Sequence, residues 1–522
     1  MGETRLGPIL YARQATDGDW RFAIGLYIGQ LAPGELDEIK VVVDGQPVPS
    51  TQRTLLADFR YLGGPAGGMY VRWEVSVERG AATRSISYSI QGAGLHHEVD
   101  EVRIPGRAEL PRLAFFSCNG VSSGKLWRNL KNPFALWEQL VGDAKGFDVL
   151  IGGGDQIYAD SLWDTPYLAP YEQHLASGGD TAHNLELPAE LSHQILAGYV
   201  GLYLERWGRA PMAKALARIP GLYTWDDHDI FDGWGSHGEE LQNSKIYLTV
   251  FEQAAKAFSC FQLAREQALP PPFLQTLTFS GGPLGKNTLD VVLPDTRSQR
   301  TERQVMASGQ WKMLKDWLQA REGATANGGV RHLLFVAPIP VVYMRMRAGS
   351  ESLGGLAGLR DDLIDQWESG RHRGERARLI MTLLEHQNLS NSAVTIVSGD
   401  VHLGARALIR SRNPLHVLPG HTEAQIEQIT SSGIVHPPPS WLQYLGLRTL
   451  GNVGPDDLGC QVETELLPVG GEPFLLSRNW LSIDFDRADQ RRDLGRMWLA
   501  WRTTDVEPPQ TQVVVLPPPP AT

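Results

Sequence analysis

Hydrophobic positions are patterned differently in different parts of this chain. Over residues 1–108 they come in short runs rich in β-branched and aromatic side chains, such as WRFAIGLYIG, IKVVVDG, MYVRWEVSVE and TRSISYSIQG, with Gly, Pro and Asp between them. Such residues fit a pleated surface, and the punctuation marks turns, so this segment predicts a small all-β sandwich domain. VRIPGRAELPR reads as its connector to the next unit. From about Leu113 short apolar runs alternate with helical patterns, which predicts an α/β unit over residues 109–505. Its expected strands are RLAFFSC, FDVLIGG, GLYTWDD, TLDVVLPD, HLLFVAP and AVTIVSG. Its expected helices are KLWRNLKNPFALWEQLV, PAELSHQILAGYVGLYLERW, SGQWKMLKDWLQAR and RARLIMTLLEHQ. Strands dominate again after residue 420, in QIEQITSS, FLLSRNWLSIDFD and RMWLAWRT. Residues 506–522, ending VVVLPPPPAT, read as a Pro-rich disordered tail.

Composition narrows the class. The 522 residues are 42% hydrophobic and 20% charged, which is ordinary globular usage with a sizeable core. A net charge of −11 argues against broad binding to nucleic acid or an anionic membrane but leaves room for a local basic pocket. Cys118, Cys260 and Cys460 are odd in number and widely spaced, so no disulfide framework is expected. MGETRLGPILYARQ lacks the apolar core of a signal peptide, and Leu6 stands where N-myristoylation needs Ser or Thr. No apolar run reaches the ~18 residues a membrane helix needs. The expectation is a cytoplasmic protein without a membrane span.

The candidate chemistry is positional. RLAFFS ends at Cys118-Asn119, and DVLIGGG at Asp155-Gln156-Ile157-Tyr158-Ala159-Asp160. GLYTW ends at Asp226-Asp227-His228-Asp229, LDVVLP at Asp295-Thr296-Arg297, and AVTIVSG at Asp400-Val401-His402. Sites in α/β sheets form beyond the carboxyl ends of strands, so a shared sheet would gather these clusters at one rim. Each piece alone has an ordinary explanation: core filler for Cys118, a turn for Asp155, a solvated loop for Asp226–Asp229, a surface ion pair for Arg297. Together they place thiol, carboxylates, phenol and imidazoles where a metal cluster needs them, with an arginine where an anion docks.

The series FFSCNG, GGGDQIYAD, TWDDHDIFDGWGS, LPDTRSQR and VSGDVHLGA resembles the PhoD-like alkaline phosphatases, a branch of the calcineurin-like metallophosphoesterases. The resemblance implies an αββα-sandwich metallophosphoesterase core over residues 109–505 and hydrolysis of phosphate mono- or diesters by a metal-activated water. It implies Cys118, Asp155 and Tyr158 as ligands of Fe(3+), with Asp227, Asp400 and His402 completing the cluster around that ion and neighbouring Ca(2+). His228 would face the phosphate or leaving group, and Arg297 would hold a phosphate oxygen. Asn119 stands where the family commonly has Gln and is expected to touch substrate. The implied partner is a small-molecule phosphate ester; no nucleic-acid scaffold role is expected, and the sequence points to no particular protein partner.

Tyr158 occupies a place where related two-metal sites carry an acid, and its chemistry indicates the metal. Ionising a phenol of pKa ~10 at pH 7 costs about 4 kcal/mol, which a hard trivalent ion offsets better than a weakly bound divalent one. Asp226, Asp229 and Asp232 read as orienters or loop caps, and Asp160 as a reserve ligand. Arg300 and Arg303 follow Arg297 at three-residue steps, as one side of a helix would. His237 is a further pocket candidate, while His96, His97 and His436 read as structural and Cys260 as core. Asp361–Trp367 is a candidate lid. Two alternatives compete: a metal-stabilised non-catalytic binding protein, and a serine esterase using Ser122 of Gly120-Val121-Ser122-Ser123-Gly124.

Overall fold

In the computed structural model, residues 3–29, 31–176, 185–266, 272–281, 286–323, 329–346, 366–441, 443–445, 451–486, 495–504 and 512–516 are described. The chain is a mixed α/β protein. Among these residues one ten-stranded sheet runs in the order Gln512–Val515, Met497–Thr503, Asn479–Phe485, Leu113–Phe116, Val149–Gly153, Gly221–Thr224, Thr4–Ala12, Asp19–Ile28, Met69–Glu78, Arg53–Asp58. An eight-stranded sheet runs Leu274–Gly281, Asn287–Pro294, Arg331–Ala337, Ala393–Ser398, Ala424–Thr430, Ala405–Ser411, Val462–Leu467, Asp456–Gly459.

Each sheet has a parallel centre. Leu113–Phe116, Val149–Gly153 and Gly221–Thr224 are parallel neighbours in the first. Asn287–Pro294, Arg331–Ala337, Ala393–Ser398 and Ala424–Thr430 are parallel neighbours in the second. Strands buried on both faces read as near-continuous apolar runs, and most of these do, Ala424–Thr430 with its Gln and Glu being the exception. Alternate residues serve different cores, as the two-residue period of a strand requires. Leu113 and Phe115 pack in a cluster with Leu289, Val291, Leu334 and Val397 of the other sheet. Ala114 and Phe116 pack with Leu196 and Val200 of the helix Leu191–Trp207 and Phe258 of the helix Lys245–Phe261. In the second sheet Val292, Phe335 and Ile396 pack with Trp311 and Leu314 of Ser308–Gln319 and Leu383 of Arg373–Ser390.

Two features depart from the sequence expectation. The N-terminal strands are not self-contained: Thr4–Ala12 pairs in parallel with Gly221–Thr224, so this segment extends the sheet that leads to Cys118 and Asp155. The Tyr11 hydroxyl donates to the Phe261 carbonyl at 2.6 Å, and Tyr27 and Tyr70 pack on the Phe261 ring. Only Gln46–Pro47, Lys40–Val43, Arg84–Gly92 and Leu95–Ile104 make a separate four-stranded sheet. The second departure lies in the expected tail. Gln512–Val515 is an edge strand with Val513 and Val515 buried, because its β-branched run reaches the apolar core before the prolines begin; the rest of 506–522 lies outside the described residues, apart from Leu516, which is exposed.

Candidate metal centre

The carboxyl ends of the central strands of both sheets meet at one rim. Gly399 is a close approach: a Cβ there would fall 2.4 Å from Ser117 Oγ and 3.3 Å from the Gly153 carbonyl across the sheet gap. Gly154, at φ 106°, turns the chain so that Asp155 follows directly, with Asp226 and Pro338 against its backbone. Backbone hydrogen bonds stitch the rim: Cys118 N donates to Gly154 O, Asn119 N to Asp155 O, and Ile434 N to Ser117 O.

Three groups of donor atoms lie within 4.8 Å of one another: Cys118, Asp155 and His402; Asp155, Asp227 and His228; and Asp155, Asp226, Asp227 and Asp400. Asp155 belongs to all three, as a bridging ligand would. The Tyr158 hydroxyl is 3.3 Å from His402 Nε2, which brings it to the first group. The Cys118 sulfur and the Tyr158 hydroxyl, whose separation would have undone the whole arrangement, therefore converge on His402.

His228 is held from one side. Its Nδ1 lies 2.9 Å from Asp160 Oδ2 and 3.0 Å from Oδ1, and its ring stacks on Tyr158 at 4.4 Å. Asp160 also accepts from Asp232 N at 2.8 Å, so it orients the imidazole and ties down the following loop. Asp226 caps the Asp227–Asp229 turn, and Asp229 closes the capping box by accepting from Asp226 N at 3.1 Å, while also accepting from Gln156 N at 2.8 Å and from Gln262 Nε2 at 3.1 Å. Gln366, at the end of the expected lid, donates to Asp400 Oδ2 at 2.8 Å; Asp361 to Ile364 and Asp365 lie outside the described residues.

Several expected residues sit differently from the sequence reading. Arg297 is fully buried rather than open to a ligand: its guanidinium bonds Asp226, donates to the Trp234 carbonyl at 3.0 Å and lies 3.4 Å from Asp227 Oδ1. That position neutralises and orients carboxylates. Asn119 has both ends of its amide engaged, accepting from Trp137 Nε1 at 2.7 Å and donating to Gln156 O at 3.2 Å, which leaves it a strut rather than a substrate contact. Arg300 is buried and Arg303 exposed, so they do not share one solvated face; with His237, Trp234 and Phe251 they line a cavity of about 540 Å³. Ser122 is exposed, and Ser123 caps the helix Gly124–Asn129, so the Gly-x-Ser-x-Gly stretch is a helix start. Cys260 is in the core, as expected, and Cys460 is exposed.

Sequence reasoning missed the segment Ser431–His436. His436 stacks on His402 at 3.4 Å and on Tyr158 at 5.9 Å, and Ser432 Oγ sits 3.0 Å from Cys118 Sγ. The signal available was the run QIEQITSS ending at the same rim as the others.

The family model described as PhoD related phosphatase matches residues 123–357. The resemblance to the PhoD-like phosphatases is borne out. An uncharacterized protein of Saccharomyces cerevisiae is 24% identical over 411 residues, which are 67% of this chain and 57% of that protein; the chain spans little more than half the length of this relative. A solved structure of PhoD, 14% identical, aligns with a TM-score of 0.53 over 97% of this chain and 88% of its own, which shows the PhoD fold. The PhoD-related stretch contains Asp155, Tyr158, Asp227, His228 and Arg297, while Cys118, Asp400 and His402 reach the same rim from outside it.

The donors of this PhoD-like rim fit cations. Four carboxylates within 4.8 Å repel one another unless positive charge intervenes, and Arg297 supplies one unit. Asp155 Oδ1 is buried with no hydrogen-bond partner among the described residues. Burial, then the Cys118 charge, holds the Asp155 carboxyl well above the usual range, and burial pushes the Cys118 thiol up to about 11 and the Tyr158 phenol far up. A coordinating ion reverses this logic, because it deprotonates thiol and phenol outright. His402 is held neutral by burial and by His436 and His228, the form an imidazole ligand needs. Burial alone would lower His228, but Asp160 and Asp227 hold it well above its ordinary value, protonated.

Among the described residues no helix is long and apolar enough to cross a membrane.

Proposed function

We propose that this chain is a metal-dependent phosphoesterase acting on phosphate mono- or diesters, with residues 109–505 as an αββα catalytic domain. The observation that carries this reading is the meeting at one sheet rim, inside a PhoD fold, of three donor groups that share Asp155 and are each within 4.8 Å: Asp155 with Cys118 and His402, with Asp227 and His228, and with Asp226, Asp227 and Asp400. Cys118, Asp155, Tyr158 and His402 would hold a ferric ion, and Asp155, Asp227 and Asp400 neighbouring calcium or other divalent ions. When bound, such ions supply Lewis acidity toward phosphoryl oxygens and a nucleophile at neutral pH.

The chain's own residues then do the following. Asp160 fixes the tilt of His228 by accepting its Nδ1 proton. His228, kept protonated by Asp160 and Asp227, gives a proton to the departing alkoxide or holds a phosphate oxygen. Arg297 keeps Asp226 and Asp227 pointed into the cluster.

The test is elemental analysis of the purified protein beside turnover of an aryl phosphate and a bis-aryl phosphate. Iron and a divalent metal in stoichiometric amounts are expected, with activity lost on chelation and restored by iron plus calcium. A colourless, iron-free preparation with full activity overturns the ferric assignment, and a metal-loaded protein inert toward every ester favours a binding role.

A further inference from the structure

Ser432 is fully buried and follows the strand Ala424–Thr430 of the second sheet, while Cys118 follows Leu113–Phe116 of the first. Their side chains meet across the gap, with Ser432 Oγ 3.0 Å from Cys118 Sγ. The direction of this hydrogen bond follows from counting donors. The His402 backbone N–H donates to Ser432 Oγ at 3.0 Å, so that oxygen is already an acceptor. A hydroxyl has one proton to give, and sulfur is its acceptor, because the Cys118 thiol directs its own proton to Asp155 Oδ2 at 3.3 Å and a ligating thiolate has none to give. The nearby Ser117 hydroxyl is a poorer candidate: it lies 3.5 Å from the sulfur and directs its proton to the Ser431 carbonyl at 3.3 Å. Asn479 holds the segment in place, accepting from Ser431 Oγ at 2.6 Å and donating to the Ser432 carbonyl at 2.9 Å. A buried relay therefore runs from the His402 amide through Ser432 to the Cys118 sulfur.

We infer that Ser432 is a positioning residue for the metal centre, its hydroxyl donating to the Cys118 sulfur while its oxygen anchors the His402 backbone. The inference rests on the proposed ferric site, in which that sulfur is a ligand. A hydrogen bond to a ligating thiolate draws electron density from sulfur, weakens the metal–sulfur bond and favours the lower oxidation state. The same serine fixes the distance between two ligands contributed by different sheets, so it couples the electronics of the site to its geometry.

The experiment is resonance Raman spectroscopy and redox titration of the iron-loaded full chain, because metal–sulfur and tyrosinate ring modes are read separately. Ser432→Ala is expected to raise the metal–sulfur stretch and shift the midpoint potential to more negative values, leaving tyrosinate modes in place. Ser432→Thr, which keeps the hydroxyl, is expected to restore both, and Ser117→Ala to change neither. An iron-loaded Ser432→Ala protein with the wild-type stretch and potential overturns the inference, as does a Ser117→Ala protein that takes over the effect. If Ser432→Ala does not fold, the wild type equilibrated in D2O decides: a shifted metal–sulfur stretch supports a hydroxyl on sulfur, and an unshifted one overturns it. A wild-type protein that takes up iron yet shows no metal–sulfur mode fails the ferric reading itself, and this inference with it.

Discussion

Cys118, Asp155, Tyr158, Asp400 and His402 all hold positive φ, between 51° and 70°. They are five of thirteen non-glycine residues in that state among the described residues, so the strained backbone is concentrated in the proposed ligand set. Left-handed backbone costs an L-residue roughly 1–2 kcal/mol, and Cys, Tyr and His lack the short polar side chain that compensates Asn and Asp. Residues so placed persist where the surrounding structure over-determines them, and the rim's stitched backbone does that. Asp155→Asn tests the conflict between stability and ligation. It takes one carboxyl out of a group of four within 4.8 Å, so the chelated protein is expected to gain stability, read from denaturant midpoints. Its iron and calcium content is expected to fall, read by elemental analysis. A metal-loaded Asp155→Asn protein would remove Asp155 from the bridging position. Asp160→Asn separates orientation from ligation: turnover is expected to drop about 10- to 100-fold with metal content unchanged, since Asp160 acts on His228. His228→Ala is expected to lose more turnover with metal retained; loss of metal there would recast His228 as a ligand.

At the scale of elements, what was legible in the sequence followed from burial. Leu113–Phe116, Val149–Gly153, Asn287–Pro294 and Ala393–Ser398 are covered on both faces, so they appear as apolar runs, and the residues just past them stand out. Ala424–Thr430 obeys the same geometry but interleaves an exposed Gln425, a half-buried Glu427 and a buried Gln428, and ends in serines, so the signal for Ser432 and His436 was weak. The pairing of His228 with Asp160 joins residues 68 apart in sequence, and Arg297 faces Asp226 from 71 away; such contacts decide roles and are not written in local pattern. The edge strand Gln512–Val515 was hidden for another reason: the prolines after it suggest a tail, yet Val513 and Val515 are 4% and 8% exposed. Burying a valine contributes about 1.5–3 kcal/mol, and a carboxylate at 513 either desolvates or releases the strand with both valines. Val513→Asp is expected to destabilise the chain by about 2–4 kcal/mol by denaturant titration. An unchanged midpoint would show that this strand does not hold the sheet edge.

The whole molecule depends on two sheets staying in register, because each supplies part of the rim. His332 is one tie between them that responds to pH. It lies on Arg331–Ala337 of the eight-stranded sheet, is 1% exposed, and packs its ring at 5.6 Å against Phe485 of the ten-stranded sheet. Its Nε2–H donates to the Gly495 carbonyl at 2.7 Å, which fixes the neutral tautomer, since a carbonyl only accepts. Burial lowers its pKa to about 4, against the opposing pull of the Gly495 carbonyl and Asp486. The unfolded chain takes up this proton near pH ~6.5, so between there and about 4 it binds more protons than the folded one. Stability from this group is therefore fully present above ~6.5 and lost as pH falls through the folded value, by at most about 3 kcal/mol. His332→Gln keeps a side-chain donor for the carbonyl and removes the titration. Equilibrium unfolding of both proteins across that window is expected to show the wild type losing stability relative to the variant as pH falls. Parallel curves would mean that His332 is solvated or already charged in the folded state, and that the sheets are joined here by something other than a neutral imidazole.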